Sequence, residues 1–224
     1  HSVTYRRNQE QLLQAPPSSR DEIAPDLGRA RGLLRAALTA GQQWLTDTQG
    51  RELLTLYGIP VVETRAAPSV DAAREAAEAI GYPVALKLDS PDISHKSDVR
   101  GVILNIDSAD ELLASAVAML RRGHELRPQA RLTGFIVQPM VRRPNAFELL
   151  VGVANDPQFG PVIVFGHGGT AVEIVGDRAV ALPPLNTALA HELVSRTRIA
   201  RLLAGYRDRP PVDLAAICRV LVAV

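Results

Sequence analysis

Lysine and cysteine are scarce in this chain of 224 residues. Lysine and arginine together number 25, yet only Lys87 and Lys96 are lysines. Cys218 is the single cysteine, which excludes an internal disulfide and a cysteine-rich metal site and fits a reducing cytoplasm. No apolar run approaches the roughly 20 residues that span a bilayer. The net charge of +1 gives no sign of nucleic-acid binding. We therefore expect a cytoplasmic protein with no membrane or nucleic-acid partner.

The two ends of the chain suggest a fragment of a longer protein. The first residues include neither a starting methionine nor the basic and then apolar pattern of a signal peptide. Residues 1–25 are polar and interrupted by proline, which predicts a linker. The last apolar helical pattern reaches Val224 without a helix-ending residue, so we expect a further strand beyond it.

Helical and strand patterns are mixed along the rest of the chain. Alanine- and leucine-rich stretches predict helices, one of them capped by Ser108. β-branched segments such as VVET (61–64), YPVALKL and GVILNI predict strands, with one βαβ unit among hairpins. This mixture favours α+β lobes over a doubly wound sheet.

A glycine-rich segment resembles a dinucleotide fingerprint by spacing alone. Gly166, Gly168 and Ala171 fit G-x-G-x-x-A after a predicted strand, but the following residues, VEIVGDRAVALPP, do not predict the helix that must open there. A Walker P-loop is absent, because neither lysine follows G-x-x-x-x-G. The glycines still allow a backbone to approach a ligand closely.

Both lysines lie in ALKLDSPDISHKSDVRGV, residues 85–102, together with His95. Lys87 in a buried strand would need an anion such as a phosphate, or it is an edge-strand lysine that discourages aggregation. His95 is either an idle, exposed loop residue or a nucleophile on a mobile loop, with Lys96 offsetting negative charge. The residues alone leave these alternatives open.

The order of longer motifs resembles a known family. The segments LLTLYGIPVVET, IGYPVALKLDSPDISHKSDVRGV, GFIVQPMV and ELLVGVANDPQFGPVIVFGHGGTAVEIVGD resemble the ATP-grasp half of NDP-forming acyl-CoA synthetases, which include ADP-forming acetate–CoA ligases. The resemblance implies an α+β ATP-grasp fold of two lobes enclosing ATP, truncated at its C-terminus. Residues 1–40 would be a tail from a preceding CoA-binding or ligase domain, 41–138 the N-terminal lobe with a swinging loop, and 139–224 an incomplete C-terminal lobe.

The resemblance also implies roles for individual residues. His95 would be the loop histidine that takes the γ-phosphate of ATP and carries it to a second site. The implied nucleotide-binding residues are Lys87, Gln138, Pro139, Met140, Glu148, Gly168 and Gly169. Magnesium would contact Glu173 and Asp177, unless these are plain acids on a strand surface. CoA would bind to partner domains of the same parent chain.

One departure from the family pattern supports a different function. Many members read HKSDVGGV, whereas this chain has Arg100 before Gly101, which removes a glycine hinge. Non-glycine residues there are familiar in relatives fused to a GNAT-type protein acetyltransferase, some of which have lost ligase activity. The alternative is therefore a retired ligase that senses nucleotide or acyl-CoA for such an acetyltransferase. The acid substrate and a homo-oligomer stay open.

Overall fold

The structure is a computed structural model that describes residues 25–93, 95–144, 146–169 and 176–224. Contacts divide the described chain into two compact units. The N-terminal unit comprises Gly28–Leu56 and Pro60–Arg142, and the C-terminal unit comprises 25–27, Tyr57–Ile59 and 143–224. The domain bounds at residues 40 and 138, which the family resemblance implied, stay a prediction.

The N-terminal unit is a four-stranded antiparallel sheet with helices. Its elements are α1 (Leu27–Thr39), α2 (Asp47–Leu56), β1 (Arg65–Ala67), α3 (Val70–Ile80), β2 (Val84–Asp89), a 3₁₀ helix (Lys96–Val99), β3 (Val102–Ile106), α4 (Ala109–Leu126) and β4 (Gly134–Pro139). The strand order is β1-β4-β2-β3. Strands β1 and β2 are joined by α3 and run parallel, but β4 lies between them, so the predicted βαβ unit is split.

Local sequence signals start and end the helices that cover this sheet. The Ser69 side chain accepts a hydrogen bond from the backbone N–H of Ala72 and caps α3, and Ser108 caps α4 as predicted. Alternate residues of β2, Leu86 and Leu88, are fully buried against the two helices. Each such leucine contributes about 1.5–3 kcal/mol of burial free energy.

The strand predicted at residues 61–64 is wrong in position. The structure places β1 at Arg65–Ala67, because those residues pair with Phe135, Ile136 and Val137 of β4. The VVET segment has the composition of a strand but has no strand assignment. Pairing with a distant strand, rather than β-branched content, therefore fixes where the strand lies.

The C-terminal unit is a three-stranded antiparallel sheet packed on helices. Its elements are β5 (Leu149–Asp156), β6 (Gly160–His167), β7 (Arg178–Ala181), α5 (Thr187–Ser195), α6 (Ala200–Leu203) and α7 (Leu214–Ala223). The strand order is β5-β6-β7, and the core contains Ile163, Phe165, Leu193 and Leu221. Together the two units confirm the predicted α+β class. No helix in the described part of the chain is long and apolar enough to cross a membrane.

The antiparallel pairing of β6 and β7 shows whether Gly166 and Gly168 can belong to a dinucleotide-binding fingerprint. Ile163 of β6 pairs with Ala181 of β7, and Gly166 pairs with Arg178. A dinucleotide-binding unit needs a parallel strand after an intervening helix. The pairing therefore excludes a Rossmann site at Gly166 and Gly168, as the sequence predicted.

Candidate functional site

Lys87 lies in the middle of an interior strand. In β2 it pairs with Val102 of β3 and Ile136 of β4, on the face opposite the buried Leu86 and Leu88. Because β2 has a neighbour on each side, the edge-strand explanation for Lys87 is excluded. Partial burial lowers the pKa of the Lys87 amine, and nearby positive charges lower it further.

The positive charges beside Lys87 belong to Arg51 and Lys96, and a carboxylate from Asp47 opposes them. Lys96 Nζ lies 2.5 Å from Asp47 Oδ2 in a part-buried ion pair. Asp47 and Arg51 are one turn apart on α2, a spacing that places both on one face of the helix. We call Asp47, Arg51, Lys87 and Lys96 the cation cluster.

His95 is exposed and lies beside the cation cluster in sequence. It directly precedes the 3₁₀ helix, and its carbonyl accepts a hydrogen bond from Asp98. Ile93 and Val99 on either side of it are buried. The loop therefore presents one solvent-accessible imidazole between two anchored apolar residues.

An ion pair fixes the start of this loop. Arg131 donates three hydrogen bonds to Asp92, from its backbone N–H at 2.8 Å, from Nε at 3.0 Å and from Nη2 at 2.9 Å. The hydrogen bonds from Arg131 lower the pKa of Asp92 to about 2. Asp92 is therefore ionised at neutral pH and holds the loop to the segment before β4.

Arg100 occupies the backbone region that favours glycine. It ends the 3₁₀ helix with φ 49° and ψ 38°, and its N–H bonds to the carbonyls of Lys96 and Ser97. A side chain in this left-handed region costs about 1–2 kcal/mol relative to glycine. This backbone conformation gives a physical reason for a glycine at the position, and arginine retains the turn at a cost in free energy.

Replacing Arg100 with glycine should leave the free energy of unfolding within about 0.5 kcal/mol of wild type or raise it, because relief of strain offsets the added freedom of the unfolded chain. Arg121→Gly, at an exposed position inside α4, should instead cost about 1 kcal/mol. Urea unfolding measures both. A cost at Arg100 equal to that at Arg121 would contradict the strained turn.

The predicted adenine segment, Gln138 to Met140, makes specific internal contacts. Gln138 is 4% exposed, and its amide nitrogen donates to Thr64 Oγ1 at 2.9 Å. The backbone N–H of Met140 donates to the carbonyl of Pro83 at 2.9 Å. The backbone N–H of Met140 therefore already has an acceptor within the N-terminal unit, and Pro139 has no backbone N–H to donate to a ligand.

Three predicted residues come together in the C-terminal unit. The N–H of Gly168 donates to the carbonyl of Glu148 at 2.7 Å. A Cβ at Gly168 would lie 2.8 Å from the Glu148 carbonyl carbon, and a Cβ at Gly169 would lie 2.6 Å from Glu148 Oε2. Gly169 also has φ +84°. Close approach of Glu148 therefore explains both glycines without a ligand.

Asp177, which was predicted to contact magnesium, accepts hydrogen bonds from the backbone of the C-terminal unit. It is 9% exposed, and its two carboxylate oxygens accept hydrogen bonds from the backbone N–H groups of Arg198 and Ile199, each at 2.7 Å. These bonds hold the start of α6. Glu173 lies outside the described residues.

The described residues do not fit a resident magnesium site. Among them no group of three histidine, cysteine, aspartate or glutamate side chains could hold a metal ion. Asp177 is engaged with backbone N–H groups, and both oxygens are used there. Magnesium commonly arrives with substrate phosphates and needs only one or two carboxylates, so these residues give no support to a dedicated cage.

A cavity of about 500 Å³ lies in the C-terminal unit, away from the predicted residues. It opens between β7 and α5, and its walls are mainly apolar, with Phe159, Val180, Leu182, Leu185 and Leu189 among them. It contains none of the side chains predicted for the nucleotide or the metal. The cavity therefore adds no residue to the candidate site.

The charges around Lys87 and His95 indicate which class of ligand the site can bind. Three cations with one carboxylate lie beside an exposed histidine, which is a composition suited to an anion such as phosphate rather than to a cationic or apolar ligand. A model of the ATP-grasp domain matches residues 36–224. The chain therefore belongs to the ATP-grasp domain family, and its predicted ATP-grasp fold is confirmed.

The chain is similar to several curated ligases. It is 39% identical to acetate–CoA ligase [ADP-forming] I of Archaeoglobus fulgidus over 91% of this chain and 29% of that protein. It is 36% identical to the beta subunit of acetate–CoA ligase [ADP-forming] II of Pyrococcus furiosus, over 88% of this chain and 83% of the subunit. The chain thus spans less than a third of the first relative and most of the second.

Solved structures show the same fold. The chain matches acetyl-coenzyme A synthetase 1 of Candidatus Korarchaeum cryptofilum, solved with coenzyme A and Ca-AMPCP, with a TM-score of 0.80 and 35% identity, covering 87% of this chain and 84% of that one. A second structure of that synthetase, with coenzyme A and Mg-AMPPCP, has its phosphohistidine segment pointing towards the nucleotide-binding site (TM-score 0.72, 32% identity, 87% and 83% coverage). These matches support the predicted relationship to NDP-forming acyl-CoA synthetases.

Proposed function

We propose that the chain is the ATP-binding module of an NDP-forming acyl-CoA synthetase, which converts an acid, CoA and ATP to acyl-CoA, ADP and phosphate. The carrying observation is the cation cluster beside exposed His95 in a chain of the ATP-grasp family. The ligase relatives and the nucleotide-bound neighbours support it. The acid substrate is not specified.

In this proposal Lys87 contacts the phosphates of ATP. Its amine lies on an interior strand with more positive than negative charge around it. The negative charges of a polyphosphate would neutralise this excess. Gln138, Pro139 and Met140 stay the predicted adenine segment, and Met140 would contribute its side chain rather than its engaged N–H. Glu148, Gly168 and Gly169 stay predicted nucleotide residues. Magnesium would enter with ATP.

His95 is the proposed phosphate acceptor. The unprotonated ring nitrogen attacks the γ-phosphorus, an N–P bond forms, and the bond to the β–γ bridging oxygen breaks, so that ADP leaves with the electron pair. At the partner domains an acid carboxylate attacks this phosphorus, the N–P bond breaks, and an acyl phosphate forms. The CoA thiol then attacks the acyl carbon, phosphate leaves, and the thiol proton passes to solvent.

The partners in this proposal are ATP, ADP and CoA-binding and ligase domains, in the same parent chain or in a separate subunit. The two possibilities accord with the match to 29% of the Archaeoglobus ligase and to 83% of a Pyrococcus protein that is named a beta subunit. A cytoplasmic location accords with the single cysteine. A fused GNAT domain and a homo-oligomer remain expectations from sequence alone.

The test incubates the intact protein with magnesium and ATP labelled at the γ-phosphate, followed by digestion with trypsin at neutral or alkaline pH. We expect acid-labile label on the peptide 88–96, which contains His95 and no other histidine. Binding of ATP is followed separately as a rise in melting temperature. Absence of both label and binding would contradict the proposed function.

A second function is a nucleotide or acyl-CoA sensor that regulates an attached protein acetyltransferase. Arg100 favours it, because an arginine in a left-handed backbone conformation stands where the family resemblance leads us to expect glycine. In that case ATP or acyl-CoA should raise the melting temperature while the peptide 88–96 stays unlabelled. Label on His95 would exclude a retired module.

A further inference from the structure

Helix α2 brings two charged side chains to the lysine face of the sheet, and no sequence motif assigned them a role. Asp47 and Arg51 lie one turn apart, and both affect the pKa of Lys87 on β2. Asp47 Oδ2 also accepts a hydrogen bond from Lys96 Nζ at 2.5 Å. The side chains of Asp47 and Lys96 are 38% and 17% exposed, so the pair is partly shielded from water.

Arg51 is incompletely satisfied in this arrangement. Its Nε is buried and has no hydrogen-bond acceptor among the described residues. An unsatisfied buried donor is unfavourable, and more so for a charged group. The same guanidinium opposes protonation of Lys87, so it lies close enough to that amine for the two positive charges to repel each other.

The charges of the cation cluster do not cancel. Arg51, Lys87 and Lys96 are positive, and Asp47 is the carboxylate that faces them. A cluster with two excess positive charges and a free guanidinium N–H is stabilised by an anion with several acceptor oxygens. A phosphoryl group supplies such oxygens in the geometry that arginine binds best.

We propose that Arg51 and Lys96 complete, with Lys87, a binding site for phosphoryl oxygens, and that Asp47 is its internal counter-ion, which an incoming phosphate displaces from Lys96. The inference rests on the proposed function for the source of that phosphate, the polyphosphate of a nucleotide. It adds helix α2 to the site and makes Asp47 a competitor of the ligand.

Two opposite effects follow from these assignments. Loss of Arg51 removes charge-assisted hydrogen bonds to phosphate and weakens its binding. Loss of the negative charge on Asp47 frees Lys96 for phosphate and strengthens its binding. A residue that served only the packing of α2 would weaken binding or leave it unchanged, so a gain in affinity on removal of a site residue identifies competition.

The probe is inorganic tripolyphosphate, titrated calorimetrically into the intact protein at low and at physiological salt. Asp47→Asn should raise the affinity several-fold, and Arg51→Gln should lower it about tenfold, the loss expected for one charge-assisted hydrogen bond. Both effects should diminish at the higher salt concentration. Melting temperatures report whether each variant is folded.

Matched controls carry the same changes of charge outside the cluster. Glu52→Gln removes a carboxylate from the same helix, where Glu52 pairs with Arg29. Arg121→Gln removes an exposed arginine from α4. Both should leave tripolyphosphate affinity within about twofold, since the charges of these exposed side chains are screened by water and salt. If Arg51→Gln does not fold, the Asp47→Asn comparison still decides.

The outcomes separate this inference from the proposed function. If Asp47→Asn binds no more tightly than Glu52→Gln, or if neither wild type nor Asp47→Asn binds tripolyphosphate, the inference is overturned even where His95 accepts label. If Asp47→Asn gains affinity and Arg51→Gln loses it while ATP gives neither label nor binding, the phosphoryl site stands and the proposed function fails.

Discussion

Replacing His95 with alanine should abolish phosphate transfer from labelled ATP to the chain, a loss of more than about 100-fold, because no other group replaces the attacking imidazole. His95 is exposed, so the substitution should change the free energy of unfolding by less than about 0.5 kcal/mol. Affinity for ATP should stay near the wild-type value, since the alanine variant retains Lys87 and the rest of the cation cluster. The measurement is label on peptide 88–96 beside an ATP titration.

Two further variants identify the cause of such a loss. His124→Ala, at an exposed position near the end of α4, should leave the label unchanged. Lys87→Met should reduce both ATP affinity and label, because it removes a phosphate contact rather than the acceptor. Label that persists in His95→Ala, or that moves to another histidine, would disprove the role of His95.

Replacing Asp177 with alanine should lower the free energy of unfolding of the C-terminal unit by about 2–3 kcal/mol. The substitution removes the carboxylate that accepts from Arg198 and Ile199; Ile199 is buried, and a buried unsatisfied donor costs about 1–3 kcal/mol, whereas the bond from the exposed Arg198 adds less. Asp177→Asn retains one acceptor oxygen but turns an amide donor towards the second N–H, so we expect an intermediate loss. Urea unfolding, followed by circular dichroism, measures both.

Asp213 provides the matched control. It caps α7 through one hydrogen bond, from the N–H of Ala216 at 2.9 Å, at an exposed position. Asp213→Ala should therefore cost only about 1 kcal/mol. If Asp177 instead served mainly as a metal ligand, its variants would weaken magnesium-dependent ATP binding while losing no more stability than Asp213→Ala. If Asp177→Ala does not fold, the asparagine variant still makes this comparison.

Elements whose signals are local were predictable from the sequence. Ser69 and Ser108 cap their helices because the acceptor and the donor are three residues apart. Burial of Leu86 and Leu88 followed from the apolar strand pattern. The position of β1 was not predictable in this way, because it depends on Phe135–Val137, about 70 residues away. Pairing across such a distance leaves no local pattern to read.

The residues of the candidate site likewise differ in whether a local sequence signal points to them. Lys87 and His95 were predicted because rare residue types cluster in a short segment. Asp47 and Arg51 were missed, since 49 residues separate Asp47 from its partner Lys96; only their four-residue spacing within a predicted helix was visible. The metal contact of Asp177 stays a prediction, and its bonds to the backbone N–H donors of Arg198 and Ile199, more than 20 residues later, could not be inferred from residue type.

The confinement of lysine to the cation cluster gives the molecule a built-in chemical reporter. Lys87 and Lys96 are the only lysine amines in the chain, and both belong to that cluster. Amine-directed acylation, read by mass spectrometry after digestion at arginine, would therefore footprint this one face with no background from other lysines of the chain. Protection of the two amines by a bound anion could be followed in a mixture, without isotopic labels and without a substitution in the protein.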